Sequence, residues 1–396
     1  MSTLPVLFRT LDCAGGGAIG VATLNAEATL NALSLNMIAL LRIQLQAWED
    51  DPAIALVVLE GAGEKAFCAG GDLQQLYRSM RAHHASAERD DVCANTYALD
   101  FFSQEYTLDY QIHTYRKPVL CWGHGIVMGG GIGLLAGASH RVVTEGSRLA
   151  MPEVAIGLYP DVGGSWFLNR MPGHVGLFLA LTGAPLNASD ARFARLADFH
   201  LHHGDKAALF EELQRQHWSA QAADNHRQLG VLLTQAQRVA PDDPPGPLRQ
   251  HFDLIELLCV GADLERIIEH IALLDGGDRW LQKAAAAVRK GSPAAAWLAY
   301  TVQQRCKHLS LLEVFKLELG ISLRCAARAD FVEGIRALII DKDMQPAWQA
   351  ASVRELDAVW CEGYFASPWP AQLHPLSHLS PDLQPAALRG HERKAA

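Results

Sequence analysis

Short apolar runs and amphipathic segments alternate along the first part of the chain, from about residue 21 to residue 143. Residues 18–24 and 54–59 have the length and composition of buried strands. Between them, large apolar side chains recur at every third or fourth position, which predicts an amphipathic helix over residues 33–50 with Ser34 as its N-cap. Strands that alternate with covering helices indicate an α/β core, which we place at residues 1–205.

A second set of elements continues the same alternation. Apolar spacing and breakers predict a helix over residues 100–114, strands over 119–122, 141–144 and 148–150, and helical structure over 163–181. Beyond about residue 205 the chain is rich in helix formers and poor in β-branched residues, so residues 206–365 are predicted to form a mostly helical region. The prolines at 242–247 predict a loop, and residues 366–396, with several prolines and little periodicity, predict an exposed tail.

Composition and charge exclude several classes of function. The 396 residues carry a net charge of −9, which argues against a non-specific nucleic-acid or acidic-lipid binder. No apolar run approaches the ~20 residues that span a bilayer, and the first residues lack the features of a secretory signal, so we predict a cytoplasmic protein without membrane contact. Eight scattered cysteines without a Cys-x-x-Cys pattern favour reduced thiols.

Two glycine clusters stand between strands and helices. The first spans residues 65–73 and includes Gly70, Gly71 and Asp72; the second spans residues 123–133 and includes Gly130. Taken alone, the first cluster is more often a tight structural turn, since glycine often serves only backbone geometry. Two such turns could aim backbone amides at one point, which is what an oxyanion hole requires.

The second cluster also fits a different motif. Gly131, Gly133 and Ala136 have the Gly-x-Gly-x-x-Ala spacing of a dinucleotide-binding turn. That motif needs an acidic residue about 20 positions on, at the end of the next strand. Glu145 comes too early, and Glu153 follows Pro152 outside a strand, so this alternative is disfavoured.

A third cluster, residues 151–164, carries two carboxylates in a loop shaped by prolines and glycines. Glu153 and Asp161 lose solvation in such an apolar loop, so at least one is expected to have a raised pKa and to take part in proton transfer or attack. The alternative is that both cap helices or pair with arginines. The histidines at 200, 202 and 203 lack further ligands at a supportive spacing, so no metal is predicted.

These clusters, in this order, resemble the crotonase (enoyl-CoA hydratase/isomerase) superfamily over residues 5–200. The motifs that carry the resemblance are Leu30-Asn31-Ala32-Leu33, Ala66-Phe67-Cys68-Ala69-Gly70-Gly71-Asp72 and Met128-Gly129-Gly130-Gly131. The resemblance implies a core of repeated ββα units wound into a superhelix, followed by a helical C-terminal region. It also implies that the amides of Gly71 and Gly130 form an oxyanion hole and that Ala69, Gly70 and Asp72 contact coenzyme A.

Residues 151–164 are most similar to a hydrolase branch of this superfamily that acts on 3-hydroxyisobutyryl-CoA, a thioester of valine catabolism. Segments 101–106, 309–313, 330–337 and 340–343 also match that branch, which implies a substrate contact for Glu105. A hydratase would place a second glutamate where this chain has Gly133. The resemblance therefore implies thioester hydrolysis, with Glu153 as nucleophile or general base and Asp161 holding the substrate hydroxyl or assisting proton transfer.

Other activities remain open at this stage. The basic residue that the family often has in its first turn is missing from residues 25–29, so Lys65, Arg78 or Arg116 would have to contact the phosphates of coenzyme A. Hydratase or isomerase activity on another acyl-CoA, and CoA binding without turnover, are the alternatives. No separate cofactor is expected because coenzyme A is part of the substrate, and relatives of this kind commonly form homo-oligomers.

Overall fold

Two parallel-stranded sheets form the centre of the molecule. The computed structural model describes residues 4–237, 245–261 and 263–379. Within these ranges the strands are β1 (Val6–Asp12), β2 (Ala18–Leu24), β3 (Ile54–Gly61), β4 (Ala66–Cys68), β5 (Val119–Gly123), β6 (Ile126–Met128), β7 (His140–Val143), β8 (Arg148–Ala150) and β9 (Phe199–His200). The larger sheet has the order β1-β2-β3-β5-β7-β9, and only its β1–β2 pair is antiparallel. The smaller sheet has the order β4-β6-β8, with all strands parallel.

Helices cover the sheets and make up nearly all of the second half. The helices of the first 205 residues are α1 (Leu35–Asp50), α2 (Leu73–His84), α3 (Thr96–His113), α4 (Gly130–Gly137), α5 (Gly164–Phe167), α6 (Val175–Thr182) and α7 (Ala188–Phe193). Those that follow are α8 (Lys206–Arg215), α9 (Ala222–Gln237), α10 (Pro247–Gln250), α11 (Phe252–Cys259), α12 (Leu264–Ala272), α13 (Arg279–Lys290), α14 (Pro293–Cys306), α15 (Leu311–Ala327), α16 (Ala329–Ile335) and α17 (Ala358–Glu362). A π-helical turn, Arg336–Ile340, continues α16.

The strand–turn–helix order places the two glycine clusters side by side. β4 leads into α2 and β6 leads into α4, and these two strands are neighbours in the smaller sheet. Because they run parallel, the turns that follow them meet at the same edge. The N-terminal ends of α2 and α4 therefore lie close together.

The predicted elements agree with the structure where local signals are strong. β2 has the predicted bounds, and α1 begins after Ser34, whose side chain accepts a hydrogen bond from the Met37 amide at 3.2 Å. The helical structure predicted over residues 163–181 is present, but it is not continuous. It is divided into α5, a 3₁₀ turn (Leu168–Arg170) and α6, because Pro172 cannot donate a backbone hydrogen bond and Gly173 has a φ of +51°.

The helical second part is packed onto the core. α15 contacts α3, and α14 contacts α5 and α6. The first part of the predicted tail packs against the rest of the molecule. Leu376 is fully buried in the main hydrophobic core, and His374 shares a hydrogen bond with the Lys316 carbonyl. Residues 380–396, and residues 242–244 of the predicted loop, lie outside the described part of the chain.

Candidate active site

A cavity of about 260 Å³ lies where the two glycine turns meet. Its wall includes the turn after β4, the turn after β6, one face of α3 and the loop that carries Glu153 and Asp161. Phe331, Leu338 and Ile339 close it from the second half of the chain. Both parts of the molecule therefore build one cavity.

Two backbone amides at this cavity donate no backbone hydrogen bond within the described structure. Gly71 and Gly130 both line the cavity, and neither amide donates a backbone hydrogen bond to any of the described residues. Gly130 is the first residue of α4, where an amide has no partner within the helix and the helix dipole favours negative charge. Together these amides can stabilise a developing oxyanion.

Close approach of the two turns explains their glycines. Gly70 has a φ of +105°, and a Cβ added there would lie 3.3 Å from the Met128 carbonyl and 3.8 Å from the Gly130 nitrogen. Gly129 has a φ of +49°, and its added Cβ would lie 3.1 Å from Glu153 Oε1. Larger residues would separate the turns or displace Glu153.

Glu153 is a buried carboxyl at the cavity wall. It begins a short 3₁₀ helix (Glu153–Ile156), and its Oε2 atom has no hydrogen-bond partner among the described residues. Burial, followed by the charge of Asp161, raises its pKa well above the usual value. No ion pair joins this side chain to an arginine among the described residues, so the alternative of an arginine-paired carboxylate is not supported.

Asp161 is held by a side chain that the sequence did not single out. Its Oδ2 accepts a 2.6 Å hydrogen bond from the Tyr106 hydroxyl, which also lies 2.7 Å from Ser322 Oγ. Burial raises the pKa of Asp161 to about 6, and the Tyr106 hydrogen bond opposes this rise. Of the two loop carboxyl groups, Asp161 therefore ionises more readily near neutral pH than Glu153 does.

A glutamate from the second half of the chain holds the next turn. Glu318 in α15 accepts hydrogen bonds from the amides of Gly163 (2.8 Å) and Ser165 (3.1 Å). Burial raises its pKa to about 8, with the charge of Asp161 as the next cause. Glu318 and Ser322 lie four residues apart, on the same side of α15, among its buried apolar residues. Two polar residues at this spacing in an apolar helix were the sequence signal that could have indicated a role in the interior.

Glu105 forms the wall opposite Glu153. A Cβ added at Gly130 would lie 2.5 Å from Glu105 Oε1, so this carboxyl group lies directly over the start of α4. Burial raises its pKa well above the usual value, and the charges of Asp161 and Glu153 add to the effect. The structure thus brings together Glu105, Glu153, Asp161 and the two glycine amides, as the sequence predicted.

The other predicted contacts are divided between the cavity and its surroundings. Ala69 and Gly70 line the cavity, whereas Asp72 does not; it is the N-cap of α2 and accepts from the Gln75 amide at 3.2 Å. Of the basic residues considered for phosphate contact, Arg116 pairs with Glu49 and Asp50 away from the cavity.

The dinucleotide-binding alternative does not fit the structure. Gly131, Gly133 and Ala136 lie within α4 and are buried, rather than in an open turn before a helix. A Cβ added at Gly131 would lie 2.4 Å from the Cys68 carbonyl, so this glycine allows α4 to pack on β4. The motif here serves helix packing.

Comparison with known proteins assigns the family. The profile described as enoyl-CoA hydratase/isomerase matches residues 19–365, which is most of the chain. The chain belongs to this family. The fold is accordingly the crotonase fold, with a helical C-terminal region.

Similar proteins of this family carry two kinds of name. The 3-hydroxyisobutyryl-CoA hydrolases, mitochondrial, of Xenopus tropicalis and Homo sapiens are each 36% identical, over 89% of this chain and 87% of theirs. Among solved structures, an enoyl-CoA hydratase from Rhodobacter sphaeroides superposes with a TM-score of 0.77 at 34% identity, covering 92% of this chain and 98% of that one. A carnitinyl-CoA dehydratase from Mycobacterium thermoresistibile gives 0.79 at 32% identity, covering 94% and 98%.

The structure and the names of the similar proteins bear on only part of the predicted location and partners. Among the described residues, no helix combines the length and the apolar composition needed to cross a bilayer. The similar hydrolases are named as mitochondrial, so a cytoplasmic location stays a prediction. The absence of a metal and the formation of homo-oligomers also stay predictions.

Proposed function

We propose that this protein hydrolyses a short hydroxyacyl-CoA thioester, with 3-hydroxyisobutyryl-CoA as the leading substrate and 3-hydroxyisobutyrate and coenzyme A as products. The observation that carries the proposal is the cavity lined by Gly71, Gly130 and Glu153, in which the two glycine amides donate no backbone hydrogen bond and Glu153 Oε2 has no hydrogen-bond partner among the described residues. The names of the similar hydrolases support the choice of substrate.

The proposed reaction uses few groups. The thioester oxygen binds between the two amides, which stabilise the negative charge that develops when the carbonyl carbon is attacked. Glu153, in its ionised form, either attacks that carbon or removes a proton from the attacking water. In both routes the bond from the carbonyl carbon to sulfur breaks, and the sulfur leaves as the thiol of coenzyme A after gaining a proton. In the general-base route that proton is the one that Glu153 took from water, and the water oxygen stays on the acid. In the nucleophile route the acyl group is left as an anhydride with Glu153, and a water molecule then cleaves it to the acid and the Glu153 carboxylate, so one water is consumed and its protons end on the thiol and the acid.

Substitution of Glu153 tests this proposal. Glu153→Gln removes the nucleophile or base while keeping the side-chain shape, so kcat for coenzyme A release should fall by about 10²–10⁴-fold. Glu60→Gln is a matched control, because Glu60 is a buried glutamate of β3 outside the cavity. Thiol release would be measured after confirming both folds by circular dichroism; near-normal rates in Glu153→Gln would refute the assignment.

The two roles of Glu153 differ in the fate of water oxygen. A single turnover in ¹⁸O-labelled water, with enzyme in excess, places label in the Glu153 carboxyl only when that group has formed an anhydride with the acyl group. Label in the Glu153 carboxyl demonstrates the nucleophile role, whereas the general-base role places label only in the product acid. Mass spectrometry of the peptide that contains Glu153 reads out the difference.

A second activity has one observation in its favour. Glu105 and Glu153 approach the same cavity over Gly130 and Gly129, so two carboxyl groups are present, and the similar solved structures are named as a hydratase and a dehydratase. Hydration of an enoyl-CoA uses such a pair. A substrate panel followed for both thiol release and loss of the conjugated double bond separates hydrolysis, hydration and binding without turnover.

A further inference from the structure

A groove of about 620 Å³ runs between α1 and α3, outside the active-site cavity. The residues that line it recur every three or four positions along each helix, so each helix contributes one face. Arg42 and Ile43 lie on the α1 face, and Gln104 and Gln111 lie on the α3 face. Among the described residues, none lines both this groove and the active-site cavity. The α1–α3 groove is therefore a separate feature of the molecule.

Arg42 is half-buried at the wall of this groove and has no acidic partner in the described part of the chain. Burial lowers its pKa, and no neighbouring acid opposes this change. Its guanidinium group makes one hydrogen bond to the described residues, from Nη1 to Gln104 Oε1 at 3.3 Å. Because Gln104 is neutral, this bond leaves the charge uncompensated. An arginine that is partly removed from water is usually paired with an acid.

The acids closest along α1 already have partners. Glu49, two turns beyond Arg42, accepts from the Arg116 backbone amide at 2.7 Å and pairs with Arg116 Nε at 3.2 Å. Asp50 pairs with Arg116 Nη2 at 2.9 Å and accepts from the Gln46 amide at 2.8 Å. Neither carboxylate is available to Arg42.

The unused donors of Arg42 lie on one edge of its guanidinium group. Nη1 donates to Gln104, whereas no partner is found for Nε and Nη2 among the described residues. These two groups can donate two parallel hydrogen bonds to a carboxylate or a phosphate. Gln111 donates to the Arg42 carbonyl at 3.4 Å, so α3 contacts both the backbone and the side chain of this arginine. The fork is thus held in place before a ligand arrives.

An apolar surface lies beside this charge. Ile43 lines the groove, yet 69% of the residue is exposed. Ala39 and Leu379 add to the apolar part of the wall. A ligand with a negative head and a short apolar arm would pair with the arginine and cover the isoleucine. The volume of the groove is within the range of about 300–1,000 Å³ that is typical of small-molecule sites.

We propose that the α1–α3 groove is a second binding site, which takes a small oxyanion with a short apolar arm. The oxyanion, a carboxylate or a phosphate ester, accepts hydrogen bonds from Nε and Nη2 of Arg42, and the arm lies against Ile43. Inorganic phosphate provides only the charge, whereas a short aliphatic anion provides both parts. The site does not depend on thioester hydrolysis, so binding alone tests it.

The first experiment observes the guanidinium group directly. NMR of the full-length protein, labelled with ¹⁵N in its arginine side chains, assigns the Arg42 Nε signal as the one absent from Arg42→Lys. The protein would be titrated at constant ionic strength with butyrate, butyl phosphate, inorganic phosphate and butylamine. We expect the two butyl anions to shift the Arg42 signal in a saturable way, inorganic phosphate to do so more weakly, and the cation butylamine not to do so.

The relative response to butyrate and butyl phosphate identifies the preferred head group, since the two anions share one arm. If no anion shifts the Arg42 signal in a saturable way, or if butylamine shifts it as butyrate does, the proposal is wrong.

The second experiment measures affinity by calorimetry in matched variants. Arg42→Gln should weaken binding of every anion by about tenfold or more, because the charged fork is lost. Ile43→Ala should weaken butyrate by about threefold or more and leave inorganic phosphate unchanged. Arg266→Gln is the control, since Arg266 is an exposed arginine of α12 that pairs with Asp263, and it should bind as the wild type does.

Equal affinities in the wild type and Arg42→Gln would overturn the site. If Arg42→Gln does not fold, Ile43→Ala still decides, because this side chain is exposed and its loss spares the core. An unchanged butyrate affinity in that variant would show that the arm does not lie against Ile43.

Discussion

Glu153 and Asp161 share one loop but have different partners. Glu153 Oε2 is unpaired at the cavity, whereas Asp161 accepts from Tyr106. A hydrogen bond to the ionised form favours that form, so the two acids titrate differently although both are buried. Asp161 is thus suited to carry charge near neutral pH, and Glu153 to exchange a proton.

Removal of the Tyr106 hydroxyl should shift the titration of Asp161 upward. In Tyr106→Phe the carboxylate loses a 2.6 Å hydrogen bond, so its pKa rises from about 6 and the acid side of the kcat/KM profile moves to higher pH. Tyr115→Phe is the control, since its hydroxyl bonds the Leu45 carbonyl elsewhere. Superimposable profiles for Tyr106→Phe and the wild type would contradict the role given to this hydroxyl.

The start of α4 tolerates no side chain next to Glu105. Gly130→Ala would bring a Cβ to 2.5 Å from Glu105 Oε1 and 3.3 Å from Leu33 Cδ1, so either the amide or the carboxyl must move. A displacement of this size should lower kcat/KM by about tenfold or more. Gly146→Ala, which adds a Cβ in open space, should leave the rate unchanged in the same thiol-release assay.

At the scale of elements, α15 joins the helical region to the site loop. Glu318 of this helix satisfies the amides of Gly163 and Ser165 at the start of α5. A buried glutamate of this helix thus fixes the backbone that follows Asp161. The second half of the chain contributes to the cavity through this contact and through the residues that close it.

Loss of that contact should affect stability and activity together. Glu318→Ala leaves two buried amides unpaired, at a cost of about 1–3 kcal/mol each in the free energy of unfolding. Glu313→Ala in the same helix removes only an exposed capping interaction with Ser310, which costs about 1 kcal/mol. Urea unfolding and thiol release measured on both variants check this; equal activity in the two would show that the contact does not position the loop.

The structure also shows which features of a helix or strand can be predicted from a few neighbouring residues of the sequence. The cap at Ser34 and the length and apolar composition of β2 are signals within a few residues, and both elements were predicted correctly. The break at Pro172 was also a local signal, but the helical periodicity of residues 163–181 was given more weight. The spacing of Glu318 and Ser322 could have indicated their burial, whereas the partners of Glu318 could not be assigned from sequence because they lie more than 150 residues away and only tertiary packing brings them together.

At the scale of the whole molecule, buried acids link stability to pH. Six carboxyl groups have raised pKa values among the described residues: Glu105, Asp109, Glu153, Asp161, Asp190 and Glu318. In the unfolded chain such groups titrate near pH 4, so above that pH the folded state binds more protons than the unfolded state. Their contribution to stability is fully present below about pH 4 and is lost as the pH rises through the folded pKa values.

Buried histidines with lowered pKa values, His113 and His140 among them, oppose this decline up to about pH 7, so the free energy of unfolding should fall between about pH 7 and pH 8. Asp161 titrates at about 6 and Glu318 at about 8, and each pKa unit corresponds to about 1.4 kcal/mol as an upper limit. Glu318→Gln should flatten the decline because one proton fewer is linked to folding. Urea titrations at several pH values measure this; a free energy that rises with pH over this range would contradict it.

The hydrogen bond from Gly163 to Glu318 also has a consequence for the order of events during synthesis. It joins residues separated by 155 positions, so the chain from β1 to α5 leaves the ribosome long before α15 does. A nascent chain of that length has Gly71, Gly130 and Glu153, but it lacks the group that holds the loop beyond Asp161. This loop therefore gains its support only after α15 has been synthesised.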